Sequence, residues 1–143
     1  MNSVPIDELK VGDAVESRKT IAESDVYLFA GVSGDFNPMH VDAEFAKKTP
    51  FGARVAHGPL TFSLCAGLLG MELPGLGTVA VSNQVNYLHP VYIGDTIAVR
   101  VEVEALDPAR NRATMAVTWR NQDGEHVAEG KMVVKPPREP VTL

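Results

Sequence analysis

The chain has a single cysteine, Cys65, which rules out an intramolecular disulfide. Cys65 sits among Phe62, Leu64, Leu68 and Leu69, where a buried apolar role is expected. An activated thiol would need a basic neighbour, and the local sequence shows none. Positive charge is sparse: 13 Lys and Arg stand against 18 Asp and Glu, for a net charge of −5. No basic run exceeds two residues, which argues against nucleic acid as the main partner. No apolar stretch reaches membrane-spanning length, so no membrane partner is expected. Met1 to Glu8 lacks a basic region followed by an apolar run, so no signal peptide is expected and the reading is cytoplasmic. The four histidines, His40, His57, His89 and His126, show no metal-ligand spacing. A Gly-x-Ser-x-Gly nucleophile motif is missing. Gly75 to Ala80 matches the loose Gly-x-Gly-x-x-Ala dinucleotide fingerprint, with Asp95 at about the expected distance. That fingerprint needs a strand before it and a helix after it. Here a helix is expected before and a Val-rich strand after, so the match is chance.

What is present is an ordinary globular composition, 45% apolar and 22% charged over 143 residues. That length suits one domain, 1–143, with a real core. The spacing predicts a strand near Ala14 to Thr20 and a helix near Glu23 to Val32. An irregular stretch from Thr49 to Ala56 leads to His57-Gly58-Pro59, and Pro59 marks a helix start. Leu60 to Met71 is apolar nearly all round, which predicts a buried helix. The second half changes period. Ile97, Val99, Val101 and Val103 alternate with Ala98, Arg100, Glu102 and Glu104, as do Ala113, Met115, Val117 and Trp119 with their neighbours. Asp123-Gly124 signals a hairpin into a strand from His126 to Val134, and Val79 to Leu88 reads as an earlier strand. Strands with short connections indicate an antiparallel sheet, and a buried helix against it gives an α+β layer pair. The Pro-rich tail from Lys135 to Pro140 reads as an exposed end.

The segment Gly34-Asp35-Phe36-Asn37-Pro38-Met39-His40-Val41-Asp42 carries the chemistry. Asp35 and His40 are five apart, the wrong spacing for one helix face. Pro38 pushes Asn37 toward an extended backbone, so a turn is expected to bring the two side chains together. A carboxylate and an imidazole around one point suit proton transfer to and from a water. Asp42 is a good N-cap for Ala43 to Lys48.

Gly34-Asp35-x-Asn37-Pro38-x-His40 followed by His57-Gly58 resembles the hydratase motif of the MaoC-like, R-specific enoyl-CoA hydratases. The resemblance extends to Tyr27–Ser33, Leu73–Gly77 and Pro90–Asp95, and so covers most of the chain in one order. It implies a single hot-dog domain, an antiparallel β-sheet wrapped around a central buried helix, with the sheet closing on Ala66, Gly67 and Gly70. It also implies that Asp35 and His40 hold the water and supply base and acid, with the order between them open. Gly58, matching a family glycine whose amide binds the thioester oxygen, is the implied enolate donor, since Pro59 has no N–H. Asn37 orients the water or is a turn residue before proline. His57 is a structural hydrogen-bonding group or a catalytic, substrate-contacting one; the first is favoured. Ser63 touches the water or thioester, or bonds to backbone as a core hydroxyl; the second is favoured. Leu69, with Phe62, Leu64 and Leu68, lines an acyl slot or packs the core. Arg54, Lys47 and Lys48 are candidates for the coenzyme A phosphates, with solvated charge as the favoured reading of each.

The expectation is a hydro-lyase that reversibly hydrates trans-2-enoyl-CoA to (R)-3-hydroxyacyl-CoA. It needs no metal or redox cofactor, and coenzyme A enters as part of the substrate. A homodimer or higher homo-oligomer with paired edge strands is implied. The rivals are a 3-hydroxyacyl-[acyl-carrier-protein] dehydratase, alone or as half of a heterodimer, a hot-dog thioesterase, and a non-catalytic acyl-thioester-binding subunit.

Overall fold

The computed structural model describes all 143 residues. Its elements run β1 (Ala14–Thr20), α1 (Glu23–Ser33), α2 (Pro38–Val41), α3 (Ala43–Ala46), α4 (Gly58–Ser63), α5 (Ala66–Met71), β2 (Val79–Tyr87), β3 (Thr96–Asp107), β4 (Arg112–Arg120) and β5 (His126–Lys135). The five strands form one sheet in the order β1-β3-β4-β5-β2, every pair antiparallel. Period-2 patterning decides which face is inward. Ile97, Val99, Val101 and Val103 of β3, and Ala113, Met115, Val117 and Trp119 of β4, are all buried. Their alternates face water and carry ion pairs such as Arg100 with Glu16 and Glu102. Leu60, Cys65 and Leu68 close the core from the helical side, and the Phe62 ring lies 6.2 Å from that of Trp119. This is the hot-dog arrangement, a sheet curled over a helix.

Three expectations need correction. The helix predicted over Leu60 to Met71 is two short helices. At Leu64 and Cys65 the N–H groups bond three residues back, to Thr61 and Phe62, so the ladder tightens to a 3₁₀-type joint. It is also buried on one side only: Ala66, Gly67 and Met71 are exposed. A Cβ built on Gly67 or Gly70 would meet nothing within 4 Å, so the sheet does not close on those glycines. The start of the Pro-rich tail is not exposed. Pro136 and Pro137 are buried, and the Pro136 carbonyl accepts from Asn111.

β2 differs from the other strands. It pairs only with β5, and eight of its nine residues are exposed. Val79 and Val81 stand out on it as exposed apolar groups.

Candidate active site

α1 ends at Gly34, whose left-handed backbone (φ 77°) turns the chain out of the helix. Asp35 follows at once. Its Oδ1 accepts from the Asn37 N–H at 3.1 Å, and the Asn37 side chain in turn caps α2 by accepting from the Met39 N–H at 3.2 Å. Asn37 is therefore the turn-former, with Pro38 at the first helical position. One turn of helix then delivers His40. Asp42 caps α3 by accepting from the Phe45 N–H at 3.0 Å. The turn brings His40 Nε2 to 3.9 Å from Asp35 Oδ2, the juxtaposition expected from the motif.

The two groups sit in different surroundings. His40 is buried, whereas the Asp35 side chain is 52% exposed. His40 Nδ1 lies 2.6 Å from the Val55 carbonyl oxygen. A carbonyl only accepts, so Nδ1 carries the proton and Nε2 is the atom left facing Asp35. His57 is buried and stacks on His40, ring centroids 3.8 Å apart. Its Nε2 donates to the Asp35 backbone carbonyl at 2.9 Å, and its Nδ1 is buried without a protein partner. His57 thus ties the start of α4 to the peptide that carries the carboxylate.

Ligand atoms of Asp35, His40 and His57 lie within 4.8 Å of one another, a grouping that spacing along the chain does not announce. Face-to-face rings aim their nitrogens side by side, whereas a metal needs bonds of about 2.1 Å converging on one point. His57 Nε2 and His40 Nδ1 are moreover committed to carbonyls.

A cavity of about 410 Å³ opens over His40 and Gly58. Gly58 is the first residue of α4, and no protein acceptor takes its N–H. The Tyr87 ring, from the end of β2, lies over it: a Cβ at position 58 would come within 3.0 Å of that ring. Tyr87 therefore belongs to the site. Partial burial raises its phenol above the ordinary value. Nothing in the sequence marks Tyr87 beyond its being an aromatic at a strand end. Thr61, buried one turn beyond Gly58, also lines the cavity.

Other expected contributors lie elsewhere. Ser63 donates to the Leu60 carbonyl at 2.7 Å, the core-hydroxyl arrangement. Leu69 packs half-buried against the core, and the cavity is lined instead by Met39, Phe51, Val55, Leu88, Pro90, Val91 and Val127. Arg54 is no free cation: it pairs with Glu23 and donates to the Tyr27 hydroxyl at 3.0 Å. Lys47 pairs with Glu44, while Lys48 is exposed. Cys65 is buried, and desolvation pushes its thiol up to about 11, as expected of an inert core cysteine.

A curled antiparallel sheet over a helix, with a carboxylate and an imidazole facing each other where that helix begins, defines the hot-dog hydratase class. A family profile described as "MaoC like domain" matches residues 8–124. The chain belongs to the MaoC-like R-hydratase family. A 3-hydroxybutyryl-CoA dehydratase from Methylorubrum extorquens is 44% identical over 133 residues, 93% of this chain and 84% of the relative. An (R)-specific enoyl-CoA hydratase from Rhodospirillum rubrum is 40% identical over 131 residues, 92% of this chain and 90% of the relative. Among solved structures, the unliganded R-hydratase PhaJ1 from Pseudomonas aeruginosa matches with a TM-score of 0.93 at 39% identity, over 99% of this chain and 91% of that one.

Proposed function

We propose that this protein is a hydro-lyase that reversibly hydrates trans-2-enoyl-CoA to (R)-3-hydroxyacyl-CoA, with Asp35 and His40 acting on a shared water. The observation that carries this reading is the 3.9 Å gap between Asp35 Oδ2 and His40 Nε2 beside the cavity. The gap is too long for a direct hydrogen bond. With Asp35 as carboxylate and Nε2 bare, both atoms are acceptors, and a water donating to each satisfies both.

In the hydration direction the water oxygen bonds to the β-carbon while one member of the pair takes its proton. The α-carbon receives a proton from the pair, and the two steps together add one water. Charge that collects on the thioester oxygen meets the unpaired Gly58 N–H at the start of α4. Asn37 and His57 hold the loop, and Thr61 and Tyr87 shape the cavity. The chemistry calls for no metal or redox cofactor. Coenzyme A is the carrier in this reading, and the unpaired β2 edge is where two copies join.

The test is the loss of enoyl-thioester ultraviolet absorbance with crotonyl-CoA, with and without a chelator, followed by stereochemical analysis of the product. Chelator-insensitive formation of the (R)-alcohol is expected. No absorbance loss, or an (S)-product, would overturn the reading. Release of free thiol would point to a thioesterase, and faster turnover on acyl-carrier-protein thioesters would move the carrier assignment.

A further inference from the structure

Arg54 lies on the irregular segment between α3 and α4, away from the reacting atoms, yet its side chain is only 17% exposed. Its guanidinium contacts Glu23 Oε1 at 2.5 Å and the Tyr27 hydroxyl at 3.0 Å, and Tyr27 donates to Glu23 at 2.9 Å, closing a three-membered ring of contacts. Glu23 and Tyr27 are four apart on one face of α1, the same helix whose C-terminal end leads into Asp35. The next residue after Arg54 is Val55, whose carbonyl accepts from His40 Nδ1 at 2.6 Å and whose N–H donates to the Met39 carbonyl at 3.3 Å. One residue, through its two flanking peptides, thus grips the Met39-His40 pair at two points. Further anchors hold the segment: Ala56 N–H donates to the Val91 carbonyl at 2.7 Å, and the Tyr92 hydroxyl donates to the Phe51 carbonyl at 3.0 Å.

We propose that Arg54, through its clamp on Glu23 and Tyr27, is a positioning residue that sets the Val55 carbonyl against His40 and so selects the imidazole tautomer with Nε2 bare toward Asp35. The proposal rests on the hydration reading above for its kinetic consequence, but not for its structural one. The clamp ties the helix that presents one half of the pair to the segment that orients the other half. Their mutual hydrogen bond lowers the Glu23 carboxyl below the usual range and raises Arg54, as a charged pair in direct contact should. A guanidinium suits this task better than an ammonium, because its planar fork serves two acceptors at once. The alternative role, a cation for the coenzyme A phosphates, would need Arg54 to abandon both partners.

The experiment compares wild type with Arg54→Met, Arg54→Lys and Glu23→Gln. Two readouts are used: crotonyl-CoA kinetics and the imidazole ¹⁵N spectrum of His40. In wild type the His40 spectrum should show one tautomer, protonated at Nδ1. Arg54→Met should give mixed tautomers and a fall in kcat of roughly 10- to 100-fold, the scale of an ångström-level misplacement. KM should stay within about twofold, and Arg54→Lys should recover part of the loss. If Arg54→Met does not fold, as judged by circular dichroism, Glu23→Gln carries the test, since it loosens the clamp and leaves Arg54 in place. A single unchanged His40 tautomer in a folded Arg54→Met variant would overturn the proposal. A higher KM with kcat preserved would also overturn it, in favour of phosphate binding. If wild type hydrates no enoyl thioester, the hydration reading falls, and the ¹⁵N spectra still decide whether the clamp sets His40.

Discussion

Strands β3 to β5 and the segment from Asp35 to His57 are held in place by different kinds of contact. In the strands, register pairs run from Ala98–Arg120 to Asp107–Arg112, and from Ala113–Val134 to Arg120–His126, with few shifts. Many equivalent side chains share the burial, so the loss of one is a loss of stability spread over the slab. In the segment each group has one or two partners, often distant in sequence: His40 with Val55, His57 with Asp35, Arg54 with Glu23. Loss of a contact there displaces a particular atom while the core remains intact. A protein built this way can hold catalytic geometry on loops because a separate part of the chain carries the stability.

The contrast can be broken from either side. Asp35→Asn and His40→Gln, near-isosteric losses of proton-transfer capacity, should each cut turnover by about 10³-fold, roughly 4 kcal/mol of barrier, with the melting temperature nearly unchanged. A folded variant of either kind with near-wild-type hydration would remove the pair from the mechanism. Trp119→Ala, in the slab, should do the reverse. It should cost about 3–5 kcal/mol of stability by chemical denaturation, while the fraction that stays folded keeps its kcat within a few-fold. A backbone ester at position 58, made by semisynthesis, deletes the N–H and keeps the shape. It should lower turnover by about 10²-fold, more than it weakens substrate binding, and unchanged turnover would place the enolate donor elsewhere.

The smallest effect concerns pH and stability. Glu23 has its carboxyl lowered in the folded state by the hydrogen bond from Arg54. Its contribution is therefore present above the ordinary carboxylate range and is lost as pH falls through the lowered value. The difference in melting temperature between wild type and Glu23→Gln should be largest near neutral pH and shrink on acidification. A difference that grew on acidification would contradict the assigned partner.

The strands were legible because burial on one face writes itself into the sequence as alternation, and Ile97 to Val103 and Ala113 to Trp119 do so without interruption. The Asp35–His40 turn was legible because Pro38 restricts the backbone of Asn37 locally. What could not be read depends on atoms the sequence does not specify. The Val55 carbonyl that orients His40 is a backbone group, present at every position and meaningful at one. The stacking of His57 on His40, and the pairing of Arg54 with Glu23 across 31 residues, arise only once the chain is folded. The joint at Leu64 and Cys65 contains no proline or glycine to announce it. Whether Leu69 lines a slot or packs the core, as it does, was not legible for a related reason. An apolar residue on an apolar helix looks the same whether it faces a ligand or a neighbour.

Tyr87 lies over Gly58 and hangs from β2, a strand hydrogen-bonded on one side only. Val91 and Val127, which also line the cavity, are buried. Part of the lining is thus set in the core and part hangs from a strand at the sheet's edge. In a single copy, with the β2 edge unjoined, amide exchange should register the asymmetry as faster opening along β2 than along β4. Whatever lengthens the sheet past β2, a second copy included, would damp that motion and steady the tyrosine that overhangs Gly58.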